Sequence, residues 1–184
     1  MRPAVAAAHT EPPLNEDEVR RLGPEDVEFL RAMFLETISW RENGPRRSLE
    51  EVLATPDLAR YVVGWGRPGD AGVVAVSNSG ERVGAAWYRI FNEDDRGYGF
   101  VSPDVPELGI ATKAEYRGRR LGRRLMESLI RLAMEQSLPG LSLSVEEDNW
   151  KALRLYESLG FVCVQQVQNA WTMLLTLRSS PAGR

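Results

Sequence analysis

The spacing of hydrophobic positions changes near residue 70, dividing a helical first part of the chain from a sheet-rich remainder. Val27, Leu30, Phe34 and Ile38 recur at helical spacing, which predicts a helix from about Pro24 to Trp40. Proline in its first turn, with Glu25 and Asp26 beside it, suits a helix N-terminus. Ahead of it, 19–22 reads as a short strand. Ser48-Leu49-Glu50-Glu51 has the pattern of a capping box and opens a second, shorter helix. Residues 72–76 are then β-branched, Asn78-Ser79-Gly80 has turn chemistry, and 83–91 is strand-like, so the three together predict an antiparallel hairpin. The polar stretch 92–106, with Gly97, Gly99, Pro103 and Pro106, reads as a loop.

After that loop the elements alternate. A strand is predicted over 107–113, followed by a helix whose one face carries Leu121, Leu125, Leu129 and Leu132 and which reaches about Gln136. Pro139-Gly140 stops it, and 141–145 is again strand-like. A helix over 150–159 ends at Gly160, a C-cap residue. Strands over 161–168 and 171–177 finish the pattern. The result is a mixed α/β single domain over 18–178. A tail rich in Pro, Ala and acids (1–17) precedes it, and a short one (179–184) follows.

Composition narrows the chemistry. The chain has 184 residues, enough for one full core. No apolar run approaches the roughly 20 residues of a membrane helix, so no membrane partner is expected. Cys163 is the only cysteine and His9 the only histidine. That excludes an internal disulfide, suits the cytoplasm, and leaves no Cys/His metal site. Any catalytic base is therefore a carboxylate, a backbone carbonyl or a water.

The net charge of −3 argues against general nucleic-acid binding. Its distribution matters more. Arg117, Arg119, Arg120, Arg123 and Arg124 fall within eight residues, and without them the charge would be −8. They sit in Arg117-Gly118-Arg119-Arg120-Leu121-Gly122, a loop that opens a helix. A helix N-terminus already carries a partial positive charge and unsatisfied N–H groups. Arginines there repel the dipole and one another. A bound anion relieves that conflict, and a pyrophosphate suits it. Gly118 and Gly122 let the backbone come close to such a group. The alternative is a solvated basic patch. No Gly-Lys-Ser or Gly-Lys-Thr follows, so a P-loop is excluded.

This segment resembles the phosphate-binding motif of the GNAT N-acetyltransferase superfamily, Gln/Arg-x-x-Gly-x-Gly/Ala. Arg117 matches its first position and Gly122 its last, while Arg120 replaces the middle glycine. That replacement is tolerable if Arg120 contributes only its N–H from a right-handed backbone. The stretch 148–161, with Asn149, Ala152, Tyr156 and Gly160-Phe161, resembles the superfamily's other recurrent segment. Asn149, Ala152 and Tyr156 share one helix face at i, i+3 and i+7.

The resemblance implies a GNAT fold. Its central sheet is mixed, mostly antiparallel, splayed at two parallel strands (here 107–113 and 141–145) and flanked by helices. It also implies that acetyl-CoA enters the gap as co-substrate, with no metal. The pantetheine would lie along Ile110, Ala111 and Thr112, and the phosphates against Arg117, Gly118, Arg119, Arg120, Leu121, Gly122 and Arg123. Asn149 and Ala152 would contact the arm. A strand N–H near Ile110 would meet the thioester oxygen, and Tyr156 would protonate the departing thiolate.

For the base, some relatives carry a glutamate on the second splayed strand, where this chain has Ser144. Glu107 is the candidate instead, and Glu146 is held in reserve; the plain alternative for Glu107 is an exposed strand-end carboxylate. The acceptor, a small-molecule or peptide amine, is expected to meet Glu36, Trp40 and Trp87 by charge and cation–π attraction. Ordinary packing competes as a role for those three. Also open are a non-catalytic acyl-CoA-binding module and a transferase of longer acyl groups. A homodimer is a family-level possibility only.

Overall fold

In a computed structural model that describes residues 18–41 and 43–177, seven strands form one sheet in the order β1-β2-β3-β4-β5-β7-β6. The strands are β1 (Glu18–Arg21), β2 (Ala71–Val76), β3 (Arg82–Arg89), β4 (Glu107–Thr112), β5 (Gly140–Glu146), β6 (Val162–Val167) and β7 (Ala170–Thr176). Five helices accompany them: α1 (Val27–Ile38), α2 (Leu49–Leu53), α3 (Pro56–Ala59), α4 (Leu121–Glu135) and α5 (Trp150–Ser158). Every sheet pairing is antiparallel except that of β4 with β5. The tails and their boundary at Arg178 lie outside the described residues.

Strand alternation splits the core in two. Ala86 and Tyr88 of β3, with Leu141, Leu143 and Val145 of β5, pack against the apolar face of α4, including Leu125 and Leu129. On the opposite face, Ala85 and Trp87 meet Leu30, Met33 and Phe34 of α1 and Val52 of α2. β3 is thus buried on both faces, which its run of small and apolar residues permits.

Several sequence expectations are refined. The Ser48 capping box is present, with Ser48 Oγ accepting from Glu51 N and the Glu51 carboxylate accepting from Ser48 N. The predicted first helix begins as a 3-10 turn, Pro24–Asp26, and its α-helical part ends at Ile38. Helix α3 was not foreseen; Pro56 at its first position is the signal that pointed to it.

Arg120 requires a correction. Its backbone is left-handed, at φ 61° and ψ 5°, not right-handed as the replacement of glycine would require. A side chain in that conformation costs about 1 kcal/mol. The chain therefore turns into α4 through two left-handed residues, Gly118 (φ 77°) and Arg120.

Candidate active site

β4 and β5 part almost at once. Their only register pair is Glu107 with Ser142, fixed by a hydrogen bond from Ser142 N to Pro106 O. Beyond it β5 pairs only with β7. The gap opens into a cleft of about 1440 Å³ bounded by α1, β4, the α4 N-terminus, β5 and α5.

Register shows which backbone groups face that gap. Lys113 N donates to Val83 O, so the alternation of an antiparallel ladder directs Ala111, Gly109 and Glu107 toward β3. Ile110 and Thr112 consequently turn their N–H and C=O groups to the cleft, while Leu108 is still within the single bridge to β5. Thr37 Oγ1 of α1 lies 3.0 Å from Met33 O and 3.3 Å from Ile110 O, sharing its one proton between them, and the alternation directs the Ile110 N–H to the cleft.

At one end stands the N-terminus of α4. It has no capping side chain and no acid in its first turn, so the first amides of a 15-residue helix are left for another partner. Arg117, Gly118, Arg120, Leu121, Gly122 and Arg123 all line the cleft. Arg119 does not; its guanidinium lies 5.3 Å from the Tyr116 ring centre. A β-carbon at Gly118 would meet nothing within 4 Å, and one at Gly122 only Leu155 at 3.6 Å, so the backbone is approachable there. Arg117 is 3.4 Å from Glu36, and Arg123 donates to Ser158 Oγ at 2.6 Å.

Helix α5 forms another wall. Asn149 caps it, accepting from Ala152 N at 3.3 Å, which leaves the Asn149 amide NH2 as a donor. Ala152 and Tyr156 follow on the same face and line the cleft. The Tyr156 ring packs on Phe161, and its hydroxyl makes no hydrogen bond among the described residues. Burial pushes that phenol up to about 12.

Glu107 lies at the opposite end and is only 6% exposed. It is not the exposed strand-end carboxylate that was the plain alternative. Tyr61 Oη donates to Oε1 at 2.8 Å, while Oε2 is buried without a hydrogen-bond partner. Desolvation pushes the carboxyl up to about 7, against the opposing pull of the Tyr61 hydroxyl, the Gly99 amide and the Arg60 charge. Ser142, its register partner on β5, also has a buried, unpartnered hydroxyl. Partner strands in register point the same way, so two unsatisfied polar groups share this end of the sheet.

The three residues expected to meet an acceptor are arranged differently from one another. Trp87 is 3% exposed and lies against Gly109, where a β-carbon would come within 2.7 Å of its ring. The Trp40 ring is covered by the Arg41 guanidinium at 4.6 Å, and Arg41 in turn bonds Glu146 and Asp148. Glu36 is paired with Arg46 at 3.0 Å and with Arg117. All three line the cleft, but Glu36 and the reserve base Glu146 are already engaged by arginines. Tyr61 and Tyr98, which hold Glu107 and flank it, were missed as a unit. Tyr61 stands 46 residues before Glu107, and Tyr98, in the loop just ahead of β4, reaches the carboxyl only through its bond to Tyr61, so no local pattern links them to it.

A family model described as acetyltransferase (GNAT) family matches residues 31–161. The chain belongs to the GNAT acetyltransferase family. It is therefore an enzyme of the acyltransferase class. The mycothiol acetyltransferase of Jonesia denitrificans is 31% identical over 153 residues, covering 82% of this chain and 44% of that protein. The chain matches less than half the length of that protein and 29% of the mycothiol acetyltransferase of Corynebacterium kroppenstedtii. Among solved structures, a GNAT acetyltransferase from Kribbella flavida superposes with a TM-score of 0.65 at 22% identity, over 87% of this chain and 97% of that one. An acetyltransferase structure from Salmonella typhimurium with its cofactor acetyl-CoA gives 0.64 at 20% identity, over 92% and 99%. These likenesses carry the splayed-sheet fold.

Proposed function

We propose that this enzyme transfers an acetyl group from acetyl-CoA to a primary amine, by direct attack of the amine. The observation that carries the reading is the parting of β4 and β5 after one residue pair, with an uncapped, acid-free helix N-terminus at one end of the gap and a buried carboxylate at the other. The residues suit the co-substrate. A diphosphate would rest on the first amides of α4 with Arg117, Gly118, Arg120, Leu121, Gly122 and Arg123. The pantetheine arm would lie against Ile110, Ala111 and Thr112, with Asn149 and Ala152 opposite. Bound there, acetyl-CoA supplies the activated acetyl group.

The chain's own groups then divide the work. A primary ammonium near pKa 10.4 must lose a proton before it can attack. Glu107, poised to about 7, accepts it. The cleft-facing N–H of Ile110 donates to the acetyl carbonyl oxygen and favours the charge that develops on it. Tyr156 remains protonated near neutral pH and has no competing hydrogen bond, so it can give its proton to the leaving sulfur. The low-dielectric surroundings that raise this phenol disfavour a naked thiolate too, which narrows the gap between the two. The acceptor is a small-molecule or peptide amine. Cys163 is exposed on β6, away from the cleft, and no acyl-enzyme is invoked.

The test combines two assays. CoA and acetyl-CoA should raise the melting temperature, and a screen of amines should release thiol from acetyl-CoA with at least one of them. Absence of stabilisation by either compound overturns the co-substrate assignment. Stabilisation without thiol release on any amine overturns the acetyl-transfer reading.

A further inference from the structure

We infer that Tyr61 is a positioning residue for Glu107: its hydroxyl, locked as a donor, holds Oε1 and thereby sets the orientation and acidity of the carboxyl, whose Oε2 stays unpartnered. The inference rests on the reading of Glu107 as the base. A phenol has one proton to give and lone pairs to receive. Tyr98 N donates into Tyr61 Oη at 2.6 Å, which occupies the receiving side. The single O–H is thereby directed to Glu107 Oε1 at 2.8 Å.

The ring carrying this hydroxyl is fixed on three sides. Phe34 stacks on it at 5.5 Å, Tyr98 stacks at 6.1 Å, and Phe91 meets it edge-on at 5.1 Å. Backbone geometry completes the arrangement. A β-carbon at position 97 would lie 2.0 Å from Glu107 Oε2 and 2.7 Å from Tyr61 Oη. Glycine there is what allows the loop to close beside the pair.

Other charges around the carboxyl are few. Arg60 acts on it from a distance, and Arg89, directly across from it on β3, gives its guanidinium to Asp70 at 2.6 Å. Tyr98 and the Gly99 amide complete the polar surroundings. The Tyr61 hydrogen bond is thus the main group opposing the desolvation of Glu107, and it favours the ionised form. Tyr61 itself is held well above the ordinary phenol range by burial and by the Glu107 charge, so it stays a donor wherever Glu107 titrates.

Tyr61→Phe keeps the ring contacts and deletes only the hydroxyl. Carbon-13 NMR of labelled glutamate carboxyls, assigned with Glu107→Gln, follows the titration of Glu107 without any acceptor. The expected result is a midpoint near pH 7 in the parent chain and a roughly tenfold weaker acid in Tyr61→Phe, the effect of losing a hydrogen bond to a charged group. The acid limb of kcat/KM for thiol release should move to higher pH by the same factor, with the alkaline plateau retained within a few-fold. A midpoint that stays or falls in a folded Tyr61→Phe protein overturns the inference, because a packing role alone would not set it. The two readings fail separately. If Glu107→Gln keeps full turnover, Glu107 is not the base, whereas the carboxyl titration still reports whether Tyr61 holds it.

Discussion

Two buried carboxylates lie near opposite ends of β3 and are treated in opposite ways. At one end, Asp26 is fully buried and receives Arg20 at 2.6 and 2.9 Å, Arg82 at 2.5 Å and Gly23 N at 2.8 Å. The Arg20 hydrogen bonds lead in holding its carboxyl well below the usual range, despite burial. At the other end, Glu107 is almost as buried and receives one phenol. Arg89 is its cross-strand neighbour, yet that guanidinium bonds Asp70 and the carbonyls of Arg60 and Val63. A paired acid ties elements together. An acid left short of partners stays poised near neutrality, which is what proton transfer needs.

The sharpest way to break this contrast is to remove Asp70. Asp70 and Arg89 are both nearly inaccessible, so Asp70→Asn strands a buried cation and should cost about 3–5 kcal/mol in urea unfolding. A loss below about 1 kcal/mol would show that Arg89 finds another partner. Asp26→Asn should cost less, roughly 2–3 kcal/mol, because Arg20 and Arg82 are about one-third exposed and solvent screens them. Asp26 is depressed in the fold, so its contribution is complete above the ordinary carboxylate value and fades as pH falls below it. The parent chain should therefore lose part of its stability in acid that Asp26→Asn lacks to begin with.

Glu107 carries the opposite sign. Its folded value lies above its unfolded one, so stability falls as pH rises from about 4.5 to about 7 and is level beyond. Glu107→Gln should be more stable than the parent chain at pH 8, by on the order of 2 kcal/mol, with little gain at pH 4. Equal stability of the two at pH 8 would mean that the buried carboxylate is better solvated than its surroundings indicate.

How far the sequence discloses this site follows from the range of the interactions. The strand–loop–helix order at β4–α4, the Asn149 cap and the Asn149–Ala152–Tyr156 face are local and follow from spacing, and the resemblance to the superfamily motifs is what singles them out. Glu107 is legible as a strand-opening acid, but its burial is not, because the loop that covers it reaches back to Tyr61 and across to β5 at Gly99. The same holds for Glu36 and Trp40. Along the sequence they stand one helical turn apart, but α1 ends at Ile38 and Trp40 lies beyond it, and the arginines that engage them arrive from Arg46, Arg117 and the turn after α1. The left-handed Arg120 has no local signature, since glycine is the residue that advertises such a backbone.

The most direct test is the pH dependence of kcat/KM for thiol release from acetyl-CoA, measured with an amine that supports turnover, in the parent chain and in Glu107→Gln. Expected in the parent is an acid limb centred near pH 7. In the variant that limb should vanish and the rate fall by roughly a hundredfold or more. A Glu107→Gln enzyme with the parent's rate and the parent's limb would contradict the assignment of Glu107 as the base.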